Sequence, residues 1–182
     1  LKESEERYRR LIEGSPDISY RFSTKRGAIF WSLSIEKVLG FKVDEYLSDP
    51  FKWYNSIVDE DKHIADEAIQ KGIDGDYFEV EYRMLHANGN IIWVNDRFIG
   101  KSIEKDEIVI DGLASDVTEK KLASEALMQN EKRFRSLFNN VANISVQGYT
   151  AEGNVIYWNK ASEKIYGYTE EEALGKSLLD LI

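Results

Sequence analysis

Apolar and polar residues alternate along several short stretches of the chain, and this period of two predicts β-strands. Asp17 to Ser23 alternates in this way, and a turn containing Gly27 leads into Ala28 to Ser32, so the two stretches are expected to form a hairpin. Three more strands are expected near residues 78–84, 91–100 and 108–117. Short helical patterns lie between the hairpin and these strands. The order predicts an α+β fold, with a five-stranded antiparallel sheet and short helices on one face.

The beginning of the chain is repeated further on. ERYRRLIEGSPDISYRFSTKRG, which contains Arg7, aligns with KRFRSLFNNVANISVQGYTAEG 126 residues later, and IFWSLSIEKVLGF aligns with IYWNKASEKIYGY 127 residues later. The sequence therefore predicts two copies of one domain, with one residue inserted after the glycine turn. The predicted boundaries are a linker helix at 1–12, a first domain at 13–118, a helical linker at 119–139 and the N-terminal part of a second domain at 140–182.

The last predicted strand passes into a helical pattern without an intervening glycine or proline. Asp116 and Thr118 flank Val117 at this junction and project from the same face of the strand. Thr118 is expected to cap the helix. Three groups on neighbouring strands could bind the Asp116 carboxylate: Arg97, Arg83 and the Trp93 indole.

The linker that follows has apolar residues at spacings of four and three. This seam consists of Ala123, Leu127, Asn130, Phe134 and Leu137. Such spacing is typical of a short parallel coiled coil, with the asparagine setting its register, and it predicts a homodimer. A helix that packs on its own sheet would show the same pattern.

Charge and composition exclude several classes of function. The net charge of -9 opposes binding to nucleic acid or to anionic membranes. The absence of cysteine excludes disulfides, thiolate zinc sites, cysteine nucleophiles and flavin photochemistry through a cysteine adduct. No apolar run is long enough to span a bilayer, so a soluble segment is expected. There is no glycine-rich phosphate loop and no nucleophile elbow, so no catalytic residue is assigned.

The inner face of the predicted sheet is aromatic and apolar. Its candidate ligand-binding residues are Tyr20, Phe22, Phe30, Ile64, Ala68, Phe78, Val80, Tyr82 and Met84. These residues describe either a filled core or a cavity for a small metabolite or a non-covalent flavin. His63 is interpreted as a surface residue rather than a haem ligand, and the acidic run Asp59 to Asp61 as helix caps rather than a metal site.

Three motifs together resemble the PAS family of sensory domains. They are EKVLGF at 36–41, EYRMLHANGNIIWV at 81–94 and the PAC-type ending DGLASDVTEKK at 111–121. The second copy resembles the same family through NISVQGYTAEGNVIYWNKASEKIYGYTEEEALGK at 143–176. The chain departs from the family at residues 57–61, where Ile-Val-Asp-Glu-Asp replaces an Ile-His-Pro-Asp-Asp run of many members. Nothing about a ligand is carried over from that run.

The resemblance implies a sensory or interaction module, often dimeric, that controls an output domain elsewhere in the parent protein. It also implies that Asp116 and Thr118 relay a signal from the sheet to the linker helix, and Trp93 is expected to take part in the same relay. The segment is expected to be cytoplasmic, and the expected parent is a sensor histidine kinase of a two-component phosphorelay, either membrane-anchored or not. The alternatives are a dimerisation or spacer module without a ligand, and the input module of a diguanylate cyclase or phosphodiesterase.

Overall fold

A computed structural model describes residues 12–139 and 144–181 of the chain. Its first domain is built on a five-stranded antiparallel sheet with the order β2-β1-β5-β4-β3. The strands are β1 Ile18–Ser23, β2 Gly27–Trp31, β3 Glu79–Leu85, β4 Ile91–Glu104 and β5 Glu107–Asp116. This confirms the predicted α+β fold. The N-terminal linker helix was predicted mostly on residues 1–11, which lie outside the described residues.

Four helices pack on one face of this sheet. They are α1 Ser34–Leu39, α2 Val43–Ser48, α3 Lys52–Ser56 and α4 Lys62–Asp74, and a 3₁₀ turn, Asp59–Asp61, comes directly before α4. The core between helices and sheet contains Ile18, Trp31, Ile35, Leu39, Tyr46, Ile57, Ala65, Tyr82, Met84, Ile92, Val94 and Ala114. The strand residues among them come from every second position of a strand, as the alternating pattern requires.

A glycine in β5 allows the side chain of Tyr20 to extend over that strand. Gly112 lies directly opposite Tyr20 of β1, and a Cβ atom at this glycine would collide with Cζ and Oη of the tyrosine. The Tyr20 ring therefore lies over β5 and reaches Asp96 on β4. The missing side chain at Gly112 is what positions the hydroxyl.

Only Val117 separates β5 from α5, Thr118–Asn139, a helix of 22 residues. The structure divides into two compact units after Leu122, so most of α5 belongs to the second unit. Among the described residues, no helix is both long enough and apolar enough to cross a membrane.

The second copy contains β6 Gln147–Tyr149, β7 Val155–Trp158, α6 Lys160–Tyr166, α7 Glu170–Ala173 and a 3₁₀ turn, Leu178–Asp180. Its hairpin repeats that of the first domain, including the bulge. Gln147 pairs with Trp158 as Tyr20 pairs with Trp31, and both members of the later pair lie 127 residues further along. An offset of 127 residues therefore relates both β6 to β1 and β7 to β2. The inserted residue lies before Gln147, not after the glycine turn as the sequence alignment suggested.

Candidate functional site

A cavity of about 30 Å³ lies between the sheet and the helices of the first domain. Its lining residues are Tyr20, Phe22, Ala28, Trp31, Pro50, Trp53, Ala65, Ala68, Ile69, Phe78, Asp96 and Ile110. Most of this surface is aromatic or aliphatic, and Asp96 supplies its one carboxylate. Pockets for drug-sized ligands measure roughly 300–1,000 Å³. The inner cavity is therefore far too small for a flavin or a haem.

Two tyrosine hydroxyls hold the Asp96 carboxylate. Tyr20 Oη donates to Oδ1 and Tyr82 Oη donates to Oδ2, each over 2.8 Å, and Asp96 is 3% exposed. Burial raises the pKa of Asp96 to about 6, although the two hydroxyls act in the opposite direction. Burial and the neighbouring carboxylate raise the pKa of both tyrosines well above 10. The tyrosines thus remain neutral donors to a carboxyl that can titrate.

Trp31 contributes a buried polar group that has no partner in the part of the chain that the structure describes. Its indole N–H forms no hydrogen bond with any described residue. The equivalent indole of the second domain, Trp158, donates to the Tyr168 carbonyl over 3.0 Å. Buried donors are nearly always paired, so an unpaired indole in a cavity lining is a polar contact available to a ligand.

A wider groove of about 390 Å³ adjoins the inner cavity. It is lined by Phe22, Ser23, Thr24, Lys25, Arg26, Gly27, Pro50, Phe51, Trp53, Tyr54 and Ile69. The two spaces share Phe22, Pro50, Trp53 and Ile69. The turn of the β1–β2 hairpin approaches Pro50 so closely that only glycine fits at Gly27, where φ is +76° and a Cβ would lie 2.7 Å from Pro50 Cβ.

The cavity includes four of the nine predicted ligand-binding residues: Tyr20, Phe22, Ala68 and Phe78. Ile64, Val80, Tyr82 and Met84 do not line it, and the last two are fully buried in the core. Phe30 was also assigned to the inner face, and this assignment is wrong. Phe30 lies opposite Arg21, whereas Trp31 lies opposite Tyr20, and directly opposed residues share a face of the sheet.

Sequence reasoning missed Trp31, Trp53 and Asp96. The position of Asp96 carried a usable signal, because Ile92, Val94 and Asp96 occupy alternate positions of β4 and so share the inner face. A carboxyl at an inward position of a strand is rare unless it is hydrogen-bonded.

The strand-to-helix junction is fixed by three hydrogen bonds. Thr118 Oγ1 accepts from the backbone N–H of Trp93 over 2.9 Å, and the Val117 N–H donates to the Trp93 carbonyl over 2.9 Å. Asp116 Oδ1 accepts from the Thr118 N–H over 2.8 Å. Asp116 therefore caps the helix start and Thr118 binds β4, which reverses the roles expected for the two side chains. The three partners considered for Asp116 were Arg97, Arg83 and the Trp93 indole, and its carboxylate instead binds the helix backbone.

The Trp93 ring connects the first turn of α5 to the start of α4. Lys121 Nζ lies 5.0 Å and Arg83 Cζ 5.8 Å from the ring centroid, within cation–π range. Lys121 also forms an ion pair with Glu81. Arg83 binds both carboxylate oxygens of Asp61 over 2.7 and 2.8 Å, and Asp61 is 7% exposed. A continuous set of contacts thus joins the starts of the two helices through side chains of β3 and β4.

The predicted dimer seam is largely exposed. Leu127 is 71% exposed and Leu137 is 59% exposed. Ala123 and Asn130 are exposed as well. Phe134 is 48% exposed, and its ring also contacts Phe138 at 4.4 Å and Tyr157 at 5.6 Å between centroids.

The acidic run and His63 lie outside the cavity lining. Asp59 pairs with Lys62 over 2.6 Å, and the exposed His63 ring bonds the Glu60 carbonyl. Within residues 12–139 and 144–181, no three His, Cys, Asp or Glu side chains are arranged to hold a metal ion.

Comparison with known families finds two matches along the chain. A family model described as PAS fold matches residues 28–107, and a second PAS fold model matches residues 132–182.

Two curated proteins are similar in sequence. The protein named probable diguanylate cyclase DgcE of Escherichia coli is 28% identical over 133 residues, which is 71% of this chain and 12% of that protein. Sensor protein FixL of Bradyrhizobium diazoefficiens is 24% identical over 180 residues, which is 95% of this chain and 34% of that protein. The chain thus spans about a third or less of the length of these relatives.

Solved structures share the fold. A sensory box histidine kinase/response regulator of Burkholderia thailandensis has a TM-score of 0.57 at 22% identity, covering 71% of this chain and 98% of that one. The PAS domain of an HTR-like protein from Haloarcula marismortui has a TM-score of 0.53 at 16% identity, covering 64% and 99%.

Proposed function

Because the chain belongs to the PAS family and is a tandem segment of its sensory domains, we propose that it relays the state of the first domain's cavity through α5 to an output domain. One observation carries this proposal: Thr118 binds the backbone of β4 while standing at the first position of the helix. A displacement of β4 is therefore transmitted to α5, because no flexible loop lies between them.

Two routes join the cavity to this junction. Asp96 belongs to the cavity lining, and Trp93 lies three residues earlier on the same strand. Ala65, Ala68 and Ile69 of α4 line the cavity too, and the start of α4 is bound through Asp61 and Arg83 to the Trp93 ring. A ligand that favours one packing of α4 against the sheet would shift the population of helix positions in α5.

The parent protein is a sensor histidine kinase in this proposal, the segment lies in the cytoplasm, and the kinase domain lies in the same chain as the segment. The support is the similarity to FixL along 95% of the segment and the fold shared with the Burkholderia histidine kinase. The segment itself is sensory and performs no catalysis.

A diguanylate cyclase parent is the second candidate. The relative with the higher sequence identity, 28%, carries that name. The two candidates differ in the nucleotide they consume, so incubating the full-length parent with radiolabelled ATP or GTP separates them. Phosphohistidine formation supports the kinase, and a cyclic dinucleotide product supports the cyclase.

We also propose that α5 dimerises through the exposed seam of Ala123, Leu127, Asn130, Phe134 and Leu137. Exposed apolar residues at spacings of four and three support this, because a parallel partner helix would bury them.

The relay is tested in the full-length parent with Thr118→Ala, which removes the Oγ1 acceptor. Loss of one hydrogen bond of about 1 kcal/mol should change output about fivefold with little loss of thermal stability. Thr118→Ser keeps the oxygen and should retain wild-type output. Thr150→Ala is the matched control, since Thr150 Oγ1 also accepts from a backbone N–H, that of Asn154 at 3.3 Å in the β6–β7 turn, and lies outside the cavity and the groove. Wild-type output from a folded Thr118→Ala protein would contradict the relay and favour a spacer module.

A further inference from the structure

The inner cavity combines a buried carboxylate with aromatic walls and contains no cationic side chain. Asp96 is almost fully buried, and none of the residues that line the inner cavity is Lys, Arg or His. Lys25 and Arg26 lie in the outer groove instead, and Arg26 is paired with Glu107. Buried carboxylates in proteins are normally paired with a cation or bound to a metal. Here the described residues supply only neutral donors, namely the hydroxyls of Tyr20 and Tyr82 and the backbone N–H of Arg97.

The walls around this carboxylate are suited to a positive charge. Tyr20, Phe22, Trp31, Trp53 and Phe78 all belong to the cavity lining. Aromatic faces attract organic cations through their quadrupole, and sites for ammonium ligands are commonly built from several such rings. A carboxylate among aromatic rings distinguishes this space from an ordinary apolar cavity.

The volumes indicate the shape of the ligand. A space of about 30 Å³ accommodates roughly one water-sized group, which is also the size of an ammonium head. The adjoining groove of about 390 Å³ is large enough for an apolar body, and Phe51, Trp53, Pro50 and Ile69 line it.

We propose that the first domain binds a small organic amine whose ammonium group pairs with Asp96 and whose apolar body lies in the outer groove. This inference rests on the proposed sensory function and supplies the chemical class of its ligand. Tyr20 and Tyr82 orient the carboxylate for the incoming cation, and Gly112 keeps the path of the Tyr20 side chain open.

Calorimetric titration of the 182-residue chain with phenethylamine and with 2-phenylethanol tests the proposal. The two probes share their phenyl body and differ in the ammonium group. At pH 7.5 we expect the amine to bind at least tenfold more tightly than the alcohol. Asp96→Asn should abolish this preference, whereas Asp76→Asn should keep it, because Asp76 is exposed and the same charge is removed there. Equal affinities in the wild type, no binding of the amine, or a preserved preference in Asp96→Asn would overturn the proposal.

A second measurement needs no variant and covers the case in which Asp96→Asn fails to fold. Lowering the pH from 7.5 to 5 should protonate Asp96 and weaken amine binding about tenfold, while alcohol binding stays constant. The titratable groups facing Asp96 are Tyr20 from β1 and Tyr82 from β3, which stay neutral in this range. Helix α4 contributes only Ala65, Ala68 and Ile69 to the lining. An amine affinity that does not change with pH would count against the ion pair.

The test of amine binding and the test of the relay can fail independently. The relay is judged by Thr118 variants in the full-length parent, whereas amine binding is judged on the isolated chain. Failure of amine binding with a working relay would leave a sensory domain with another class of ligand.

Discussion

Asp96 is a buried acid whose ionisation opposes folding. Its pKa rises from the ordinary 3.8 to about 6 in the folded state, which amounts to roughly 3 kcal/mol once the group is ionised. Between about pH 4 and pH 6 the folded chain holds a proton that the unfolded chain has lost. The contribution of Asp96 to stability is therefore full below pH 4 and is lost as the pH rises through 6.

Asp96→Asn should remove this dependence. Going from pH 4.5 to pH 7.5, the wild type should lose about 2 kcal/mol of unfolding free energy relative to the variant. Urea denaturation of both proteins at several pH values measures the difference. Acids with lowered pKa values, such as Asp61 and Glu107, cancel because both proteins contain them. A difference that is constant with pH would refute the assignment.

Gly112→Ala should destabilise the first domain. The added methyl would collide with the Tyr20 ring and push its hydroxyl away from Asp96, and overpacking of this kind costs typically 1–3 kcal/mol. Gly100→Ala in β4 is the matched control, because a Cβ there meets no atom within 4 Å. Denaturant melts measure both variants. Equal stabilities would show that Tyr20 can move aside freely.

At the scale of elements, the first turn of α5 is held by side chains rather than by packing alone. Thr118→Ala should speed hydrogen exchange of the Trp93 amide and of the first turn about fivefold, because one hydrogen bond of about 1 kcal/mol is lost. Thr118→Ser should exchange as the wild type does. Mass spectrometry of peptides covering 90–96 and 118–124 gives the measurement, and unchanged exchange in the alanine variant would contradict it.

The order of strands and helices could be predicted from the sequence because period-two and helical patterns depend only on which residues are buried. The set of side chains that line the cavity could not be predicted in this way. Phe30 was misassigned because a bulge in the β1–β2 pairing shifts the register, and a bulge leaves no reliable mark in one sequence. The roles of Asp116 and Thr118 depend on the β4–β5 register, in which Val94 faces Asp116 and brings Trp93 beside the helix start.

At the scale of the whole molecule, the two units share one helix, and its apolar seam is exposed. Leu127→Asp should convert a dimer into a monomer, because it places a charge at an apolar position of the seam. Gln129→Asp adds the same charge outside the seam and should leave the dimer intact. Light scattering coupled to gel filtration measures the mass. A wild type that is monomeric at all concentrations, or a dimeric Leu127→Asp, would contradict the proposal.

The unbroken course of α5 from Thr118 to Asn139 has a geometric consequence. Each residue inserted into an α-helix advances everything after it by 1.5 Å and turns it by about 100°. One extra residue after Ala126 would therefore misalign the downstream half, whereas seven extra residues would restore its angular phase to within about 20°. Signal output should therefore vary with the number of inserted residues at the helical period. An output that does not depend on this number would mean that α5 is a flexible connection and does not transmit rotation.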